Sequence, residues 1–120
     1  MSQPEINDVI APFKWVSYGS DTAAGASVIL VAGMYKQELF DSRAAEGFEG
    51  GGYDWASLAA VYLAEKMPEL ESIVRFDPEA DMFCAYSKDT EALHRFIVGF
   101  HEACEQPDVI ADLFSRAELD

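Results

Sequence analysis

Four glycines fall within six positions, at Gly47, Gly50, Gly51 and Gly52, and run into Tyr53-Asp54-Trp55 and an alanine-rich apolar segment. A glycine-rich loop that opens a helix is a common phosphate cradle, because bare backbone N–H groups and the positive helix end converge on the anion. The neighbouring residues argue against that chemistry. A P-loop needs a lysine directly after its last glycine, whereas Tyr53 and Asp54 follow here. A dinucleotide fingerprint follows a strand; counted from Gly50 its third glycine would fall at Trp55, and the preceding element reads as a helix. Glu46, Glu49 and Asp54 also ring the loop with negative charge. Two unit charges about 4 Å apart repel by about 1 kcal/mol in water and several times more in a protein cleft. A phosphate would meet that repulsion with no cation to offset it.

The remaining reactive side chains form no recognisable constellation. His94 and His101 are seven residues apart, about 10.5 Å along a helix, too far to share one metal ion. With Glu91 and Arg95 beside His94, they read as a solvated helix face. Asp77, Glu79 and Asp81 alternate like the first ligands of a calcium loop, but Met82 and Lys88 stand where that loop needs glycine and glutamate. They read as a charged hairpin tip. Cys84 and Cys104 form no close-spaced pair and carry no nucleophile signature, so two buried free thiols are expected. No catalytic residue, metal site or cofactor is assigned.

The elements that hold these residues follow from periodicity. FKWVSY (13–18) and ASVILVA (26–32) read as strands around the turn-forming 19–25, the second a continuous apolar run expected to be buried on both faces. Residues 34–46 take a helical pattern with Tyr35, Leu39 and Phe40 inward, and Gly47 fits the left-handed position after it. A second helix is predicted from Asp54 or Trp55 to Met67, with Asp54 as its N-cap and Pro68 ending it. Trp55 looks like a packing anchor, burying about 150–250 Å², or roughly 4–6 kcal/mol gross. Three consecutive glycines exceed what a helix-to-helix reversal needs, which points to a close backbone approach or a mobile loop.

SIVRFD (72–77) and MFCAYS (82–87) read as strands around a turn led by Pro78. A long helix follows over roughly 88–105, capped by Ser87 or Asp89, with Leu93, Phe96, Ile97, Phe100 and Cys104 on one face. Pro107 opens a last helix that turns Ile110, Leu113 and Phe114 inward. The order is β-β-α-α-β-β-α-α, an α+β fold with an antiparallel, about four-stranded sheet and helices mainly on one face. The chain of 120 residues is expected to form one domain, residues 1–12 being a loosely ordered lead-in.

Charge narrows the partners. Acidic side chains number 22 against 8 basic ones, a net −14. Nucleic acid and anionic membranes are disfavoured by such a field, and a protein basic at its contact surface is favoured. MSQPEINDVIAPF lacks a secretory pattern, and no segment nears the roughly 20 apolar residues of a membrane span. A cytoplasmic protein is therefore expected.

Three stretches, GFEGGGYDWASLA, FDPEADMFCAYS and DLFSRAELD, resemble in order and spacing the immunity protein 51 family of bacterial polymorphic-toxin systems. The resemblance runs from about Phe13 to the C-terminus and is most specific at the glycine loop and at Phe76-Asp77-Pro78-Glu79. It implies a non-enzymatic immunity protein that binds and blocks a cognate toxin domain, and it supplies no catalytic residues. Chemistry nominates the contacts: Glu46, Phe48, Glu49, Tyr53 and Asp54 on the loop, and Asp77, Glu79 and Asp81 on the hairpin tip. The alternatives are a small enzyme with a pocket beside loop 47–52, lined by Tyr53, Asp54 or His94, and an acidic adaptor or regulatory domain. The oligomeric state is left open.

Overall fold

The computed structural model describes residues 3–18 and 25–118. The expected turn at 19–25 lies outside them except for Gly25. Strands β1 (Lys14–Tyr18) and β2 (Gly25–Val31) pair antiparallel. Strands β3 (Arg75–Phe76) and β4 (Met82–Ser87) form a second hairpin. The hairpins join through an antiparallel β2–β4 ladder, giving one four-stranded sheet of order β1-β2-β4-β3. The α+β class and the order of strands and helices are those the periodicity predicts.

The lead-in departs from expectation. Gln3–Ile10 forms helix α1, whose Ile6 and Ile10, one turn apart, are buried. The reason is tertiary: α1 packs on β1, where Asn7 Oδ1 accepts the Trp15 N–H at 2.8 Å.

The helix predicted over 34–46 breaks into two pieces. Only Gln37–Asp41 is α-helical (α2), and Ala44–Glu46 forms a short 3₁₀ turn ending at Gly47 with φ 110°. Lys36 sits at φ 55°, in the left-handed region, so a right-handed helix begins only after it. The predicted strand 72–77 shrinks to two residues. The N–H groups of Ile73 and Val74 both bond Leu70 O, which holds the chain in turns until Arg75.

Helix α3 (Gly52–Lys66) buries Trp55, Leu58, Ala59, Tyr62 and Leu63. Helix α4 (Thr90–Cys104) is N-capped by Asp89, whose carboxylate accepts the Ala92 N–H at 3.0 Å. The predicted face of α4 is fully buried at Leu93, Phe96, Ile97, Phe100 and Cys104. Helix α5 (Pro107–Phe114) starts on its proline and buries Ile110, Leu113 and Phe114. At the centre, the Phe13 ring lies 5.9 Å from the rings of both Trp55 and Phe100 and 6.3 Å from Phe83. Trp55, with no exposed surface, is the packing anchor its sequence position suggests.

The histidines are half-buried rather than fully solvated. The His94 ring packs on Trp15, and His101 stacks on Tyr35 with its Nε2 2.9 Å from Ala11 O. Chain leading into and through β1 covers that side of α4, which the helical wheel alone does not reveal.

Candidate functional site

The glycine loop is shaped by contacts on three sides. Asp54 lies within the first turn of α3, and Gly51 holds the N-cap position predicted for it. Its carboxylate reaches back to accept the Glu49 and Gly50 N–H groups at 2.7 and 2.8 Å. Asp54 therefore braces the loop rather than capping the helix, while its charge still favours the positive helix end. Gln37 Nε2 donates to Glu49 O at 2.9 Å and so ties the loop to α2.

The surplus glycine has a steric cause. A Cβ on Gly52 would sit 2.0 Å from Glu79 O and 2.2 Å from Met82 O, and one on Gly51 would sit 2.6 Å from Ala80 O. The Gly52 N–H bonds Ala80 O at 3.2 Å. The loop thus lies main chain against main chain on the tip of the β3–β4 hairpin. Hairpin backbone fills the space against Gly51 and Gly52. Two grooves among the described residues, of about 410 and 300 Å³, are lined by residues that include Ala60 and Tyr86 in one and Pro12 and Tyr35 in the other, and neither touches Tyr53, Asp54 or His94.

The hairpin tip is tighter than predicted. Glu79 bridges Met82 through bonds of 2.8 and 3.3 Å, leaving Ala80-Asp81 as the two turn residues. Pro78 lies upstream, between Asp77, whose N–H bonds Cys84 O, and Glu79, whose N–H bonds Met82 O. Its missing donor falls at the position that faces away from the ladder, where an edge strand tolerates proline.

The contact between loop and tip brings the two candidate segments together, and exposure sorts their residues. Glu49, Asp77, Glu79 and Asp81 are exposed, and Tyr53 is 49% exposed. Among the described residues no cation pairs with these four carboxylates. Glu46 is exposed but committed: Arg43 donates to both its oxygens at 2.8 Å and holds its carboxyl below the usual range. Phe48 is buried, its ring 4.9 Å from that of Phe114, so it offers a partner no surface. Aromatic character alone does not separate a contact residue from a core residue in a loop.

Arg43 organises this corner, and it carries no motif that would single it out. Its guanidinium lies 4.5 Å from the Phe48 ring centre and 5.0 Å from that of Phe114. It also donates to Phe114 O at 2.5 Å and Ala117 O at 2.9 Å. Both carbonyls lie at or just beyond the end of α5, where a cation is favourably placed. The glycine loop is thereby fixed to the C-terminal helix as well as to the hairpin.

Among the described residues, no group of three or more His, Cys, Asp or Glu could hold a metal ion, and no helix is long and apolar enough to cross a membrane. The architecture is that of a small α+β protein whose candidate surface presents carboxylates and a tyrosine on two interlocked loops. Residues 13–119 match the family model for immunity protein 51. The chain belongs to that family, which makes it an immunity protein directed against a toxin. No curated protein and no solved structure matches it.

Proposed function

We propose that this protein acts in the bacterial cytoplasm as the stoichiometric inhibitor of a toxin from a polymorphic-toxin system, seating its acidic surface on a basic cleft of the toxin. The observation that carries this reading is the union of the glycine loop with the acidic hairpin tip, in a chain of net charge −14. Glu49, Asp77, Glu79 and Asp81 supply negative charge that pairs with no cation among the described residues. A nuclease is the toxin class such a surface fits, since a cleft built to attract phosphate also attracts carboxylates. Inhibition is by occlusion, and no bond to the toxin is made or broken.

The test is co-expression with the toxin domain encoded beside it, followed by co-purification and binding kinetics. The association rate should fall steeply between 0.1 and 1 M salt, as the Debye length shrinks from about 10 to about 3 Å. A neighbouring toxin that is neither bound nor neutralised would refute the function. Salt-independent association would refute the acidic mechanism.

A further inference from the structure

Among the described residues, the outward positions of the sheet are less buried than those that face the helices. On β2, Ala26, Val28 and Leu30 are buried against the helices, while Ser27 and Ile29 are half-buried and Val31 is 72% exposed. On β4, Phe83, Ala85 and Ser87 are buried, while Met82, Cys84 and Tyr86 are half-buried. The registers align these outer positions in rows. Val16 opposes Ser27, which opposes Tyr86; Lys14 opposes Ile29, which opposes Cys84; Val31 opposes Met82. An antiparallel sheet with one wet face ordinarily alternates apolar-in with polar-out. Here Val16, Ile29, Val31, Met82, Cys84 and Tyr86 form an apolar band where polar residues are expected, the pattern of an interaction surface.

Both edges of the sheet are poor sites for an added strand. On β1 the Trp15 N–H is taken by Asn7 of α1, and β3 is two residues long and followed closely by Pro78. Short or covered edges are how a sheet resists strand addition. A partner that engages the sheet therefore meets its face rather than its edges.

The edge strands place Lys14 opposite Ile29 and Arg75 opposite Tyr86, and the hairpin tip gives the face an acidic border. Asp77 bonds across to Cys84, and Glu79 bridges Met82, so their side chains flank the outer positions of β4. Burial raises the Cys84 thiol above its ordinary range, and the charges of Asp77 and Glu79 push it the same way. The same hairpin tip carries Asp81 and receives the glycine loop.

We infer that the outer sheet face is the toxin-docking surface: the apolar band receives an apolar ridge of the toxin, and Asp77, Glu79 and Asp81 pair with lysine or arginine side chains beside that ridge. This rests on the proposed inhibitor function and extends its contact surface from the two loops onto the sheet. Charge selects the occupant. A second copy of this chain would bring another net −14 against the first, a repulsion that a basic partner converts into attraction.

Cys84 is a built-in reporter, since it lies on the face while Cys104 is fully buried among the helices. The experiment measures maleimide labelling of the full-length protein, free and saturated with its toxin, at a pH above 8. Labelling of Cys84 should slow at least tenfold in the complex, with Cys104 unreactive in both states. A Val16→Arg, Val31→Arg variant should lose at least a hundredfold in toxin affinity at an unchanged melting temperature. If toxin binds but Cys84 labels at the free rate, the docking surface is wrong and the inhibitor function stands. If the toxin does not bind at all, the function fails first. If free protein already shields Cys84 in a concentration-dependent way and sediments as a dimer, the occupant is a second copy and the inference is overturned.

Discussion

On β4, Phe83 and Ala85 point into the helices and are fully buried, while Met82, Cys84 and Tyr86 at the alternate positions stay half-buried. β2 repeats the contrast, with Val28 and Leu30 enclosed and Ile29 and Val31 turned outward. The two faces therefore share a chemical character and differ in what covers them. The inner face is closed by a ring cluster around Phe13, Trp55, Phe83 and Phe100. The outer face has acidic residues at its border instead of a helix above it. Apolar residues on the inner face stabilise the fold, and those on the outer face are available to a partner.

That contrast can be broken most forcefully from the inside. Phe83→Ala removes a ring with no exposed surface and should cost about 3–5 kcal/mol of stability through lost burial and a cavity. The measurement is a urea unfolding midpoint, and a loss below about 1 kcal/mol would mean the inner face is not the core.

Gly52→Ala tests the junction between the faces. Its Cβ would fall 2.0 Å from Glu79 O, and backbone can yield only by moving the hairpin. A destabilisation of about 1–3 kcal/mol is expected, with weakened toxin binding because the acidic tip shifts. Stability and affinity both at the unsubstituted level would show that the loop and tip are not locked together.

A smaller effect should appear in acid. Arg116 hydrogen bonds hold the carboxyls of Glu65 and Asp112 below their ordinary range. Both groups are more acidic folded than unfolded, so their contribution is present above about pH 4 and is lost as pH falls through the depressed folded values. Arg116→Met should therefore lower the melting temperature slightly at neutral pH, with the gap closing below pH 4. Parallel melting curves across that range would show that the triad contributes nothing. The smallest change is expected on the outer face itself. Val31→Ser, at a side chain 72% exposed, should alter stability by no more than about 0.5 kcal/mol. A larger loss would mean that the face is part of the core after all.

Much of the fold was legible in the sequence because its signals are local. The apolar period of α4, the Asp89 cap, Pro107 at the start of α5 and the glycine after residues 44–46 each act within a few residues of themselves. The candidate surface was legible only in outline. Its exposed members, Glu49, Tyr53, Asp77, Glu79 and Asp81, follow from residue type and loop position. Phe48 does not, because its burial depends on Phe114 and Arg43 arriving from elsewhere in the chain. His94 and His101 fail for the same reason, covered by chain that the helical period of α4 cannot see.

Sequence by itself determined the strand and helix order, the core stripe of α4, the acidic balance and the demand for glycine at 50–52. These rest on periodicity, composition and side-chain volume, properties each segment carries alone. Tertiary structure decided that Gly51 and Gly52 meet the hairpin backbone, that Asp54 braces the loop and that the outward residues of β2 and β4 stay only partly buried among the described residues. Those outcomes depend on which surfaces meet across distant parts of the chain. An apolar strand residue has the same hydrophobicity whether a helix lies above it or not.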